Sequence, residues 1–198
     1  MIDTAEMLKI FNRHRGDAIV VPGRGGRHWV NISGNPDLDV PLGDPAMGGH
    51  ASFAMGLAMA LPHRRVVLFD SEGDIMMGMG VLATIAEQKP ANFYHFMLDN
   101  ECYATTGGQP VPNAKAVKYD ALAKGAGYPD AYAFDNLETF ENNVERILSK
   151  PGPVFVALKV NPEVNNTPIG QRKKWLKRSA LQSIEAMRKA LGIVNNGA

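Results

Sequence analysis

The sequence predicts an α/β fold, a doubly wound and mostly parallel sheet with helices on both faces. Three observations carry this. Short strands alternate with helical stretches along the chain. The strands are continuous apolar runs, such as Val66-Val67-Leu68-Phe69, as expected where both faces of a sheet are covered. The chain has 198 residues, 45% of them hydrophobic, enough to bury a sizeable core without staples.

The elements follow in order. Thr4 to Arg15 reads as an amphipathic helix with Met7, Leu8 and Phe11 on one stripe. Ala18 to Val21 is a buried strand that Pro22-Gly23 ends, and a Gly-, Pro-, Asn- and Asp-rich loop runs from Pro22 to Pro45. Met47 to Leu61, with Ala51, Ala54, Gly56, Ala58 and Ala60, suits a helix packed closely on both sides. The strand Val66 to Phe69 leads into Asp70-Ser71-Glu72-Gly73-Asp74, and a helix is expected from about Met76 to Gln88. Phe93 to Leu98 is a third strand, ending at Asp99-Asn100. Helices over Tyr119 to Gly125 and Leu137 to Leu148, a strand over Val154 to Val160 and a helix over Arg172 to Leu191 complete the pattern. No repeat or boundary interrupts it, so residues 1–198 are read as one domain.

Composition excludes several classes of function. A net charge of +1 provides no basic excess of the kind a nucleic-acid surface needs. One cysteine forms no internal disulfide. Charged residues interrupt Met1 to Arg15, so it reads as neither a signal peptide nor a membrane span. A cytoplasmic protein without membrane or nucleic-acid partners is expected.

In a sheet of this kind ligands bind beyond the carboxyl ends of the strands. Three segments should therefore share one rim: Pro22 to Gly26, Ser71 to Asp74, and Asp99 to Tyr103. Gly23, Gly25 and Gly26 resemble the start of a dinucleotide fingerprint, but His28 stands where the third glycine belongs, and a flexible turn is the preferred reading. Glu72 and Asn100 follow successive strands, 28 positions apart, the length of a βαβ unit. A carboxylate, an amide oxygen and a nearby backbone carbonyl are hard ligands suited to Mg²⁺ or Ca²⁺. The backbone N–H groups of Gly73, Asp74 and Ile75, at a helix start, can receive a phosphate. The competing reading makes Asp74 a helix cap and Asp99-Asn100 a turn.

These motifs resemble the diphosphate-binding domain of thiamine diphosphate (ThDP) enzymes, whose pattern is Gly-Asp-Gly followed after nearly thirty residues by Asn-Asn or Asp-Asn. Here Ser71-Glu72-Gly73 and Asp99-Asn100 correspond. The stretches Gly73 to Ala86, Leu98 to Pro110 and Ala46 to Ala51 are similar to sulfopyruvate and phosphonopyruvate decarboxylases. The resemblance implies that the side chains of Glu72 and Asn100 and the carbonyl of Cys102 bind Mg²⁺. It also implies that Gly73, Asp74 and Ile75 hold the diphosphate, aided by the loop around Gly23. Met47, beside Gly48 and Gly49 and 25 positions before Glu72, falls where the family places a bulky residue beneath the cofactor. Tyr103 to Gln109 would belong to a loop closing over a small 2-oxo acid substrate. His50 is a candidate proton donor or substrate anchor, or else a locally bonded residue at a helix start.

Two departures stand out. Ser71 replaces a glycine, and Glu72 is one methylene longer than aspartate, so the backbone retreats, the metal shifts toward Ca²⁺, or binding weakens. Making Asp74 the ligand instead would break the match over Met77 to Ala86. The chain also has no room for the family's pyrimidine-binding domain, whose glutamate promotes catalysis. A hetero-oligomer is implied, in which this chain is the beta subunit and an alpha subunit supplies that domain. A ThDP carboligase, another 2-oxo acid lyase and a noncatalytic diphosphate-binding module are the alternatives. Arg24, Arg27 and His28 are candidates for holding a phosphonate, sulfonate or carboxylate. The basic run Arg172, Lys173, Lys174, Lys177 and Arg178 around Trp175 can steer an acidic substrate, meet a partner, or simply be a solvated helix start.

Overall fold

A computed structural model describes residues 1–42, 47–172 and 174–193. The ordered elements are helix α1 (Thr4–His14), strand β1 (Ile19–Pro22), α2 (His50–Ala60), β2 (Val66–Ser71), α3 (Glu72–Met77) and α4 (Val81–Gln88). There follow β3 (Phe93–Asp99), β4 (Cys102–Tyr103), β5 (Gln109–Pro110), α5 (Tyr119–Ala126), β6 (Asp130–Phe134), α6 (Leu137–Leu148), β7 (Val154–Lys159) and α7 (Ala180–Ala190). Five strands form one parallel sheet in the order β1-β2-β3-β7-β6, and β4 and β5 pair as a small antiparallel hairpin.

The side-chain alternation of the central strands divides the core. Val66 and Leu68 of β2, Phe93 and Met97 of β3 and Phe155 of β7 face α2, α4, α5 and α7. Val67 and Phe69, Tyr94, Phe96 and Leu98, and Val156 and Leu158 face α1 and α6. On that second face Phe11, Trp29, Phe69 and Phe96 interlock, with ring centroids 5.0–5.8 Å apart. The expected doubly wound sheet is present. Among the described residues no helix is long and apolar enough to cross a membrane.

Several expected boundaries move. The helix expected over Met76 to Gln88 is two helices, α3 and α4, divided at Gly78-Met79-Gly80. A Cβ on Gly78 would lie 2.8 Å from the Gly48 carbonyl oxygen, so the break is where the turn before α2 presses in. That turn also delays α2, which starts at His50 rather than Met47. β6 is an additional strand without a sequence signal: its half-exposed Asp130-Ala131-Tyr132-Ala133-Phe134 forms the sheet edge and lacks a continuous apolar run. The last helix starts at Ala180, not Arg172, because Ser179 and Gln182 form a reciprocal capping box there.

The loop after β1 is ordered where described, although Pro45 and Ala46 lie outside the described residues. It contains 3₁₀ turns at Arg24–Asn31 and Pro36–Leu38, so a short helical segment, rather than a flexible turn, opens directly after Gly23. Arg15, which is 3% exposed, clamps it from beneath. Its guanidinium donates to Asp39 Oδ1 at 2.8 Å and Ser33 Oγ at 2.7 Å, and Trp29 Nε1 donates to the same Asp39 oxygen at 2.8 Å. This buried ion pair fixes the loop that forms one side of the rim.

Candidate active site

A cavity of about 340 Å³ opens at the carboxyl ends of β1, β2 and β3. All three segments expected on one rim reach it: Arg24 and Gly25 from the first, Ser71, Gly73 and Asp74 from the second, Asn100, Cys102 and Tyr103 from the third. Met47, half-exposed, lies on the wall beside Met77.

The glycines here answer to close packing rather than to flexibility. A Cβ on Gly23 would lie 2.6 Å from the Phe69 carbonyl oxygen, and one on Gly25 would lie 2.3 Å from that of Asp70. On Gly73 it would sit 3.0 Å from the Tyr103 ring.

Glu72 begins α3 and is buried. Its Oε1 accepts the Cys102 N–H at 3.1 Å, and Asn100 Oδ1 accepts the same N–H at 3.0 Å. Glu101, between Asn100 and Cys102, has a φ of 64°. Such left-handed backbone is uncommon outside glycine and turns the chain back on itself. Lys159 Nζ steadies the turn, bonding Asp99 Oδ2 and Glu101 Oε1 at 2.8 Å each. Glu72 Oε2 is buried and, among the described residues, has no hydrogen-bond partner. Burial pushes the Glu72 carboxyl up to about 7; nearby backbone N–H groups oppose the rise and the Asp99 charge adds to it.

A carboxylate with one orphaned oxygen, an amide oxygen that shares its Cys102 donor, and the carbonyl of Cys102 itself are oxygen ligands of the kind a hard divalent cation takes. That carbonyl accepts the Ala104 N–H at 2.9 Å and has a second lone pair.

Asp74 occupies a different place. Its Oδ1 accepts the Gly48 N–H at 2.8 Å, and its Oδ2 accepts the Ser71 hydroxyl at 2.8 Å. Ser71 in turn caps α3, accepting the Asp74 N–H at 3.2 Å. The Gly73 and Ile75 backbones lie in the same first turn, with the Ile75 side chain in the core. His50 is not on the cavity wall. It is 2% exposed, behind Asp74, with Nδ1 3.5 Å from Asp74 Oδ1. Burial disfavours the imidazolium, yet the carboxylates of Asp74 and Asp70 outweigh it and raise the His50 pKa.

The remaining basic candidates divide. Arg24 Nη1 donates to Thr105 Oγ1 at 3.0 Å on the cavity wall. Arg27 and His28 instead hold Glu163 Oε2, at 2.5 and 2.7 Å. Burial would raise the Glu163 pKa, and these two bonds more than reverse it, bringing it below the ordinary value. The basic run is no helix start, since α7 begins later. Arg172 donates to the carbonyls of Thr105, Thr167 and Asn165, Lys177 to that of Val30, and Arg178 to Asp37 Oδ1. Lys173 lies outside the described residues. Beneath the site lies a further buried pair, His95 Nε2 and Asp70 Oδ2 at 3.0 Å, whose only signal in the sequence is a histidine and an aspartate inside apolar strand runs.

The fold and site together define an α/β domain with a diphosphate- and cation-compatible cleft at its strand ends. The chain belongs to the thiamine pyrophosphate enzymes, its residues 24–158 matching the C-terminal TPP binding domain of that family. It is 33% identical over 171 residues to the sulfopyruvate decarboxylase subunit beta of Methanothermobacter thermautotrophicus, covering 85% of this chain and 88% of that one. It is 35% identical over 148 residues to the phosphonopyruvate decarboxylase of Streptomyces viridochromogenes, covering 74% of this chain but 36% of that enzyme. In structure it is similar to a thiamine diphosphate-dependent 4-hydroxybenzoylformate decarboxylase of Rhodococcus jostii RHA1. The TM-score is 0.68 at 18% identity, over 84% of this chain and 33% of the other.

Proposed function

We propose that this chain is the diphosphate-binding subunit of a ThDP- and Mg²⁺-dependent decarboxylase of small 2-oxo acids. The observation that carries the reading is the buried, partnerless Glu72 Oε2, on a carboxylate whose other oxygen shares the Cys102 N–H with Asn100 Oδ1 and whose chain neighbours Ser71 and Gly73 line the cavity. A buried carboxylate oxygen left unpaired is costly, and a bound cation relieves that cost.

In this reading Glu72, Asn100 and the Cys102 carbonyl hold the metal, and Gly73, Asp74 and Ile75 with the loop at Gly23 seat the diphosphate. When bound, ThDP supplies the nucleophilic carbon and electron sink for loss of CO₂ from a 2-oxo acid. The chain's own residues bind and orient. Met47, with Gly48 and Gly49, supports the cofactor from one wall, and Tyr103 with the hairpin loop after it narrows the mouth and excludes water. Arg24, on the same wall, is suited to an acidic substrate tail, as the names of the relatives suggest.

A partner subunit completes the site. Among the described residues lining the cavity the carboxylates are Asp74 and Glu163, and both are engaged within the chain. In this reading the glutamate facing the aminopyrimidine is supplied by a pyrimidine-binding alpha subunit, in keeping with relatives named as beta subunits. The test is CO₂ release from sulfopyruvate, phosphonopyruvate and pyruvate by the chain co-purified with its companion subunit. Turnover that requires ThDP, Mg²⁺ and both chains is expected; diphosphate binding without CO₂ release would leave only a binding module.

A further inference from the structure

In and behind the cavity wall, a group of ionisable side chains is almost fully buried. His50, Asp70, Asp74 and His95 are each at most 4% exposed. Asp70 is committed to His95 Nε2 at 3.0 Å and to the Ser71 N–H at 3.0 Å, and it anchors the end of β2. Asp74 joins the start of its own helix to the remote segment Gly48 to His50. Through Oδ1 it holds the Gly48 N–H, through Oδ2 the Ser71 hydroxyl, and its Oδ1 also faces His50 Nδ1. Among the described residues that imidazole nitrogen has no hydrogen-bond partner, only the carboxylate at 3.5 Å. The other side of the ring abuts Gly23, where a Cβ would approach His50 Cδ2 to 3.3 Å.

The consequence concerns Met47. Its side chain is 50% exposed, so packing does little to fix it. The turn that carries it must therefore be fixed through the backbone. Gly48 has a φ of 74° and is gripped from two sides, by Asp74 Oδ1 at its N–H and by close approach of its carbonyl to Gly78. α2 has no side-chain cap at its N-terminus, and the Asp74 carboxylate takes that place electrostatically.

We propose that His50 and Asp74 form a buried positioning pair that sets the place of Met47 on the cavity wall. His50 acts through Asp74, and Asp74 acts through the Gly48 N–H; neither step needs His50 to reach the substrate. The consequence for the cofactor rests on the ThDP reading above, whereas the placement of Met47 does not.

The experiment uses the full chain with ¹³C-methyl-labelled methionine, the Met47 signal being assigned from a Met47→Leu variant. In the cofactor-free chain, His50→Leu fills the buried space but removes the ring nitrogen, and it is expected to displace the Met47 methyl signal. His50→Asn restores a donor at the Nδ1 position and is expected to return the signal to its wild-type place. The double variant His50→Leu/Met47→Leu should weaken ThDP binding no further than Met47→Leu alone, because coupled sites are non-additive. His50→Leu by itself is expected to raise the ThDP dissociation constant about tenfold.

A Met47 signal unmoved in His50→Leu, or equally displaced in both His50 variants, would overturn the proposal. So would a loss of turnover in His50→Leu at unchanged ThDP affinity, the behaviour of a proton donor. A wild-type Met47 signal that responds to His50→Leu but not to ThDP with Mg²⁺ would uphold the pair and contradict the cofactor reading.

Discussion

Glu72 and Asn100 share one hydrogen-bond donor: the Cys102 N–H lies 3.1 Å from the carboxylate and 3.0 Å from the amide oxygen. That shared donor draws the ends of β2 and β3 together and leaves the second Glu72 oxygen unpartnered. A stability cost thus sits where the proposed metal would bind. Glu72→Met removes the buried charge while Cys102 keeps Asn100. It is expected to stabilise the cofactor-free chain by about 1–3 kcal/mol in urea denaturation. It should also abolish any stabilisation by Mg²⁺ with ThDP. A variant less stable than the wild type would mean that the carboxylate is already satisfied.

Gly25 approaches the Asp70 carbonyl too closely for any side chain. Gly25→Ala is expected to cost about 1–3 kcal/mol through overpacking, read in the urea midpoint. ThDP affinity should fall with it, because β1 and β2 must part to make room.

Asp39 is the partner of a buried cation. Asp39→Ala leaves Arg15 enclosed and unpaired, and a loss of about 3–5 kcal/mol is expected. Asp39→Asn keeps an acceptor for Trp29 Nε1 and should lose less. Equal losses would assign the effect to the shape of the pocket rather than its charge.

Glu163 ties the segment after β7 to Arg27 and His28. Its folded pKa lies below the ordinary value of 4.5. The stability it contributes is therefore present above that value and is lost as pH falls through the lower, folded one. Protection of residues 161–172 against hydrogen exchange, taken relative to the intrinsic rate at each pH, should fall on acidification below pH 4.5, and in Glu163→Gln that acid-dependent step should be missing.

Arg172 joins the same segment to the loop after Tyr103 through the Thr105 carbonyl at 2.7 Å. Arg172→Ala is expected to speed amide exchange across residues 103–109 while β3 and β7 keep their protection. Unchanged exchange would mean that the loop is held by its own hairpin.

Much of this was legible in the sequence. β2, β3 and β7 lie inside the sheet, covered on both faces, so their apolar runs announced themselves. β6 did not: an edge strand need not be apolar throughout, and Asp130 pairs with Lys150 at its margin. The convergence of Glu72 and Asn100 was legible because the spacing of a βαβ unit brings successive strand ends together, whereas Cys102 entered only through the family resemblance. The fate of Arg27 and His28 was not, because their partner Glu163 lies 136 and 135 positions away, across the sheet. His50 read as a site residue from its neighbours in sequence, and only the tertiary packing of α2 on β2 places its ring behind Asp74 rather than in the cavity. The division of α3 from α4 depended likewise on a distant contact, between Gly48 and Gly78.

The most direct test of metal-dependent ThDP binding at Glu72 is isothermal titration of ThDP into the chain, alone and with its co-purified partner, with and without Mg²⁺. Saturable binding that requires the metal and is lost in Glu72→Ala is expected. Binding that is indifferent to Mg²⁺, or that survives in Glu72→Ala at full affinity, would contradict it.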